Sequence, residues 1–341
     1  MRAAVLWDEG LSLREWPEPE PGPGEALVSL TKVGICGSDV HFVLDGTAKT
    51  AFLPIILGHE PCGVVEALGP DTVGPAAGTR VAIIPLLHCG ACARCRAGRT
   101  VICVDSQCIG AERHGCWADL AVVPVENLIP VPDALSDELA AVATDSVATA
   151  YHAVATRGGV GPGSRVAVWG TGGLGLSAVG IAKTLGAASV IAVDPRAEAR
   201  EWALETGADE AISPEGAIKR IAGDGGVDVA LEFVGRAATM DGAVRCLDDG
   251  GRAVIVGIGT DQSAAGRQMS LVVRERDVVG SYGAEPDEVR AVISMLASGT
   301  LKLPRVVGDV IALEDVGEGL RRVQSGDTGG SRIVLDIAGT R

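Results

Sequence analysis

Arg165-Val-Ala-Val-Trp169-Gly170-Thr171-Gly172-Gly173-Leu174-Gly175 is the stretch from which the fold follows. Its first five residues form a β-branched and apolar run, the kind buried on both faces in a parallel sheet. The next six are spaced G-x-G-x-x-G and lead into a helical pattern with Leu174, Ala178, Ile181, Ala182 and Leu185 on one face. Each glycine has its own task in such a turn. Gly170 permits the tight bend, Gly172 lets the backbone approach a pyrophosphate, and Gly175 lets helix and strand pack closely. With Gly173 and Leu174 completing the loop, the helix N-terminus offers N–H groups and positive dipole to phosphates. In a chain of 47 glycines the triplet alone would mean little. The strand before it and the helix after it give it weight.

Asp194 closes the next apolar run, nineteen residues beyond Gly175, where an acid binds the ribose hydroxyls of a dinucleotide. Its charge would repel a 2′-phosphate, so NAD is expected rather than NADP. Arg196 is a counter-argument, since it could turn toward such a phosphate. Further strands are expected at Ser189–Val193, Val227–Phe233, Arg252–Val256 and Asp277–Gly280, with helices between them: an α/β, doubly wound parallel sheet. On the N-terminal side, to about residue 140, the pattern is different. Short β-type segments such as Ala26-Leu-Val-Ser-Leu and Arg80-Val-Ala-Ile-Ile are bounded by Gly and Pro, as in a compact β-rich unit. Beyond about residue 285 come a helix and the alternating strand Arg332-Ile-Val-Leu-Asp-Ile. The expected plan is a β-rich domain, 1–149 and 285–341, interrupted by an α/β domain at 150–284.

The 341 residues carry 29 Lys plus Arg against 44 Asp plus Glu, a formal charge of −15. That balance argues against nucleic-acid or anionic-membrane partners. Hydrophobic residues at 47% and charged ones at 21% are ordinary globular composition, which argues against wholesale disorder. Neither a signal-peptide core nor a bilayer-length apolar run is present, so a cytoplasmic protein is expected.

Nine cysteines, an odd number in a long chain, do not read as a disulfide scaffold. Cys89, Cys92, Cys95 and Cys103 crowd into fifteen positions, and four thiolates from one loop suit a closed, tetrahedral structural zinc. A nucleic-acid-binding finger is the competing reading. Against it, Arg94, Arg96 and Arg99 are only a small basic island. A looser pair of segments, Cys36-Gly-Ser38-Asp39-Val-His41 and Gly58-His59-Glu60, holds further zinc-type ligands. A catalytic zinc needs three protein ligands and an open position.

Together, in this order and with Gly329-Gly-Ser-Arg332 near the end, these segments resemble the zinc-dependent alcohol dehydrogenases of the medium-chain dehydrogenase/reductase superfamily. The likeness covers essentially the whole length. It implies a GroES-like catalytic domain with an inserted Rossmann domain, and two zinc ions per chain. By resemblance, Cys36 and His59 are catalytic-zinc ligands, and Glu60 lies beside or within that set. Ser38 takes the substrate proton, His41 relays it, Asp39 orients His59, and Arg332 contacts the cofactor phosphates. Many relatives supply a second cysteine about a hundred residues after the histidine; here the stretch reads Ala143-Thr-Asp145-Ser-Val. Asp145 is the expected replacement, as in bacterial secondary-alcohol dehydrogenases, with Glu60 and His152 as rivals.

The implied activity is hydride transfer between NAD(H) and a small-molecule alcohol or its carbonyl, the alcohol secondary or cyclic, by a homodimer or homotetramer. The alternatives are a zinc-free C=C or quinone reductase of the same superfamily and a non-catalytic dinucleotide-binding protein. Trp117 and Phe42 are candidate pocket aromatics that could equally be core. Cys62, Cys108, Cys116 and Cys246 read as buried thiols.

Overall fold

The computed structural model describes residues 1–262 and 266–340. They form two compact units: Met1–Ala148 with Ala284–Ser298 and Val306–Arg341, and Thr149–Gly283 with Gly299–Arg305. No helix among the described residues is long and apolar enough to cross a membrane.

The first unit is built on one long strand, Glu25–Ile35. It pairs antiparallel with Glu60–Leu68, with Leu120–Pro124 and with Arg332–Asp336, inside a seven-stranded sheet. Val28, Leu30, Val33 and Ile35 on that strand are fully buried, in one core with Val65, Ile83, Trp117, Ile333 and Leu335. Burying a side chain such as Leu30 or Ile35 is worth about 1.5–3 kcal/mol. Trp117 is therefore core, and Phe42 packs against the same cluster half-buried. Two registers then matter for chemistry. Ile333 lies opposite Ile35, and Glu60 lies opposite Gly34. Three segments distant in sequence thus meet where the chain leaves the sheet at Cys36. Gly34 is required there, because a Cβ would stand 2.0 Å from Glu60 Oε2.

The second unit is a six-stranded parallel sheet in the order Glu210–Ile212, Ser189–Val193, Arg165–Trp169, Val227–Glu232, Leu247–Ile255, Asp277–Gly280. In sequence terms that order is 3-2-1-4-5-6, the doubly wound dinucleotide-binding arrangement. The fold class expected from the glycine loop is the one found. Three expected strands end where predicted, and Val227–Glu232 stops one residue earlier. The strand expected at Arg252–Val256 begins earlier, at Leu247, and ends at Ile255. Glu210–Ile212 was not expected; three residues are too few for a periodic signal.

Candidate metal centres and dinucleotide loop

Cys36 is the N-cap of the helix Gly37–Val43, and its N–H donates to Asp39 Oδ2 at 2.8 Å in a capping-box arrangement. That bond fixes Asp39, whose other oxygen lies 3.4 Å from His59 Nδ1. With Nδ1 facing a carboxylate, the imidazole presents Nε2 to the site. His59 Nε2 is 3.3 Å from Ser38 Oγ and 3.8 Å from Asp145 Oδ2, which is also 3.7 Å from Cys36 Sγ. One ligand atom each from Cys36, His59, Glu60 and Asp145 lies within 4.8 Å of the others. His152, the rival candidate, is not in this group; it falls in the second unit.

Asp145 reaches the group from a π-helical turn, Ala143–Val147, between the α-helical stretches Asp137–Val142 and Ala148–Tyr151. The wider turn re-aims a side chain that a regular helix would point elsewhere. Nothing in the sequence pattern announced it.

Arg332 makes contacts that the sequence reading did not foresee. The resemblance sets it at the cofactor phosphates. In the structure its buried guanidinium donates to Glu60 Oε1 at 3.0 Å and to Cys36 Sγ at 3.2 Å, and it stands 3.8 Å from Asp145 Oδ2. The register of the last strand beside Ile35 dictates this, and pairing register is not visible in the sequence.

The electrostatics follow from burial. Desolvation pushes the Glu60 carboxyl up to about 8, against the lowering effect of Arg332. For His59, burial works to lower the pKa, but Asp39 and Cys36 outweigh it and hold the imidazole well above its ordinary value. Carboxylate, imidazole and thiol groups are crowded together, and Glu60 Oε2 is buried with no hydrogen-bond partner among the described residues. One sulfur, one imidazole nitrogen and carboxylate oxygen form a donor set that fits Zn2+.

Outside this group, His41 Nδ1 lies 2.8 Å from Asp45 Oδ2 and 3.0 Å from Thr47 Oγ1. Hydrogen bonds from Thr47 hold the Asp45 carboxyl down at about 2.

The second cluster gathers Cys89, Cys92, Cys95 and Cys103. Cys92 and Cys95 Sγ are 3.5 Å apart, Cys89 and Cys103 Sγ 3.5 Å, and Cys89 and Cys95 Sγ 4.0 Å. Tetrahedral zinc with its usual sulfur bonds sets sulfurs about 3.8 Å apart. Main-chain N–H groups of Cys92, Cys95, Cys89 and Asp105 point at the sulfurs. Such bonds favour thiolates: they bring Cys92 down to about 6 and lower Cys103, while burial and neighbouring thiols push Cys95 up to about 12. All nine cysteines are free. Burial pushes Cys62, Cys108, Cys116 and Cys246 up to about 12, so they are poor nucleophiles and ligands.

In the second unit Gly170 has φ +84°, and a Cβ on Gly175 would stand 1.8 Å from Gly170 O. Gly172 faces open space, with only the Arg196 guanidinium at 3.7 Å from a Cβ. Asp194 is buried; it accepts the Thr171 N–H at 2.9 Å and is 3.3 Å from Arg196 Nε. Sequence reading missed Glu232, buried at the end of the fourth strand. It accepts the N–H groups of Val234 and Gly235 and the hydroxyl of Thr239.

The sequence matches two families: an alcohol dehydrogenase GroES-like domain over residues 22–133 and a zinc-binding dehydrogenase over residues 173–298. It is 32% identical over 336 residues to the L-threonine 3-dehydrogenase of Photorhabdus laumondii, covering 96% of this chain and 97% of that one. Among solved structures, a putative zinc-binding dehydrogenase from Sinorhizobium meliloti bound to NADP superposes with TM-score 0.91 and 31% identity, covering 98% of this chain and 99% of that one. An NAD-dependent alcohol dehydrogenase superposes with TM-score 0.91 and 33% identity, covering 99% and 100%.

Proposed function

We propose, from the premise that this chain belongs to the zinc-binding dehydrogenases with an alcohol dehydrogenase GroES-like domain, that it interconverts a secondary or cyclic alcohol and its ketone with NAD(H). The observation that supports this most is the group Cys36, His59, Glu60 and Asp145, the first three buried and the last half-buried, with the Ser38 hydroxyl 3.3 Å from His59 Nε2. When bound, zinc would supply a Lewis acid that makes the substrate hydroxyl more acidic, and the nicotinamide would supply the hydride acceptor. Cys36, His59 and Asp145 would hold the metal, with Cys89, Cys92, Cys95 and Cys103 holding a structural ion.

The chain's own residues handle the proton. Ser38 Oγ takes it from the substrate hydroxyl while releasing its own hydroxyl proton, and His41 receives the released proton and passes it outward. Asp45 and Thr47 hold the Nδ1 edge of His41, which leaves Nε2 as the working nitrogen. Asp39 keeps the imidazole of His59 in one tautomer. Gly170, Gly172, Gly173, Leu174 and Gly175 cradle the dinucleotide pyrophosphate, and Asp194 selects a free ribose 2′-hydroxyl, hence NAD over NADP. The relatives named above include proteins associated with either cofactor, so this preference is read from Asp194.

The name of the curated relatives makes L-threonine, itself a secondary alcohol, the first substrate to try. Assembly as a homodimer or homotetramer is supported by Met269, Val272 and Val273, all exposed just before the open edge strand Asp277–Gly280.

The test is NADH formation with L-threonine and a panel of neutral secondary and cyclic alcohols, each with NAD and with NADP. Activity on an alcohol with higher kcat/KM for NAD supports the reading. Reduction of enones or quinones alone would favour the zinc-free class. Dinucleotide binding without any turnover would favour a binding protein.

A further inference from the structure

We propose that the second unit carries another ligand site, distinct from the dinucleotide loop, for a small oxyanion-bearing molecule. It is a cavity of about 870 Å3 whose lining includes Arg245, Arg267, Arg274, Arg276, Asp241 and Asp248. Its position separates it from the glycine loop. Gly226, Leu247 and Arg276 stand at the start of the strands Val227–Glu232, Leu247–Ile255 and Asp277–Gly280. All strands of this sheet are parallel, and Gly170 follows the far end of Arg165–Trp169. The cavity is therefore at the opposite end of the sheet.

Charge accounting makes it a candidate. Four arginines converge here in a chain of net charge −15. The carboxylates at the cavity are already engaged: Asp248 by Arg165 at 2.7 Å and Asp241 by Arg245 at 3.1 Å. Arg274 is paired with Asp249 at 2.7 Å. Among the described residues Arg276 has no ion pair, although Asp249 and Asp248 lie near enough to act on its charge. Its guanidinium donates to the carbonyls of Asp248, Val244 and Leu247 and to Ser270 Oγ, which fix its plane without neutralising its charge. Burial and the neighbouring Arg274 hold it below the usual arginine value. Arg267 is exposed at the cavity rim, with no side-chain hydrogen bond or ion pair among the described residues.

Among the described residues Arg267 has no counter-ion and Arg276 no direct ion pair, with one Nη2–H of Arg276 left uncommitted, so the cavity fits a ligand that brings the negative charge itself, bound chiefly through Arg267. Guanidinium groups match phosphate and carboxylate geometry. The volume is that of a small-molecule site. Met269, Val272 and Val273 lie on other faces of the short helix than Ser270 and Arg274, so an apolar partner there need not fill the cavity.

The experiment is calorimetric titration of the full-length protein with inorganic phosphate and, separately, succinate, against sodium chloride at equal ionic strength, with and without saturating NADH. Saturable binding that survives NADH is expected, and the tighter of the two probes identifies a phosphate-bearing or carboxylate-bearing ligand. Arg267→Glu changes an exposed side chain with no partner among the described residues, so fold and NADH binding should persist while oxyanion binding weakens by about tenfold or more. Heats no larger than the chloride control would overturn the proposal. So would binding abolished by NADH, which would belong to the glycine loop, or equal affinity in Arg267→Glu.

Discussion

Asp145 and Glu60 are both carboxylic acids at the same centre, yet their surroundings give them different roles. Thiolate Cys36 and neutral His59 would leave a zinc ion with one net positive charge, which one further carboxylate neutralises. Asp145 Oδ2 is within 3.8 Å of both donors, whereas Glu60 Oε1 is already bound by Arg332 at 3.0 Å. Asp145→Asn should therefore lose the catalytic ion, and Glu60→Gln should keep it. Elemental analysis of both variants decides; an Asp145→Asn protein with full zinc and full activity would refute the assignment. A second prediction concerns Asp45. If it fixes His41 for proton transfer, Asp45→Ala should lower kcat by about tenfold with little change in KM, below the usual worth of a whole acid–base group. Asp45→Asn, which can still accept from Nδ1–H, should recover part of the loss. Equal kcat in all three proteins would remove Asp45 from the account.

At the scale of elements, the site depends on contacts between distant segments. Glu285, at the N-cap of the helix Pro286–Ala297, accepts the N–H of Thr100 at 2.8 Å and also the Thr100 hydroxyl, beside the four-cysteine loop. The same helix packs against the π-helical turn that carries Asp145. Glu285→Ala should lower stability by about 1–3 kcal/mol, the cost of stranding half-buried donors. It should also speed loss of the structural zinc to a chelator. Unchanged melting and unchanged zinc release would show that the link carries nothing. The glycine loop and the long strands of the sheet were legible in the sequence because each is a local pattern. The four cysteines were legible for the same reason, as ligands spaced within one loop. The π turn at Ala143–Val147 was not, since it depends on packing, and the Arg332 contacts were not, since they depend on which strands pair. Glu210–Ile212 was too short to register at all.

Across the whole molecule, two sulfur-containing ligand clusters lie in the first unit. A closed four-thiolate site contributes folding energy directly, and an open mixed-ligand site supports chemistry. Their loss should therefore be separable. Cys92→Ser should release one ion and lower stability or assembly, whereas Cys36→Ser should release the other and abolish turnover with much less effect on the fold. Zinc counted per chain in carefully prepared wild-type, Cys36→Ser and Cys92→Ser proteins tests this division between the two centres. Two ions in the wild type and one in each variant is the predicted result, given the two ligand clusters. One ion or none in the wild type, or two retained by Cys36→Ser, would contradict it.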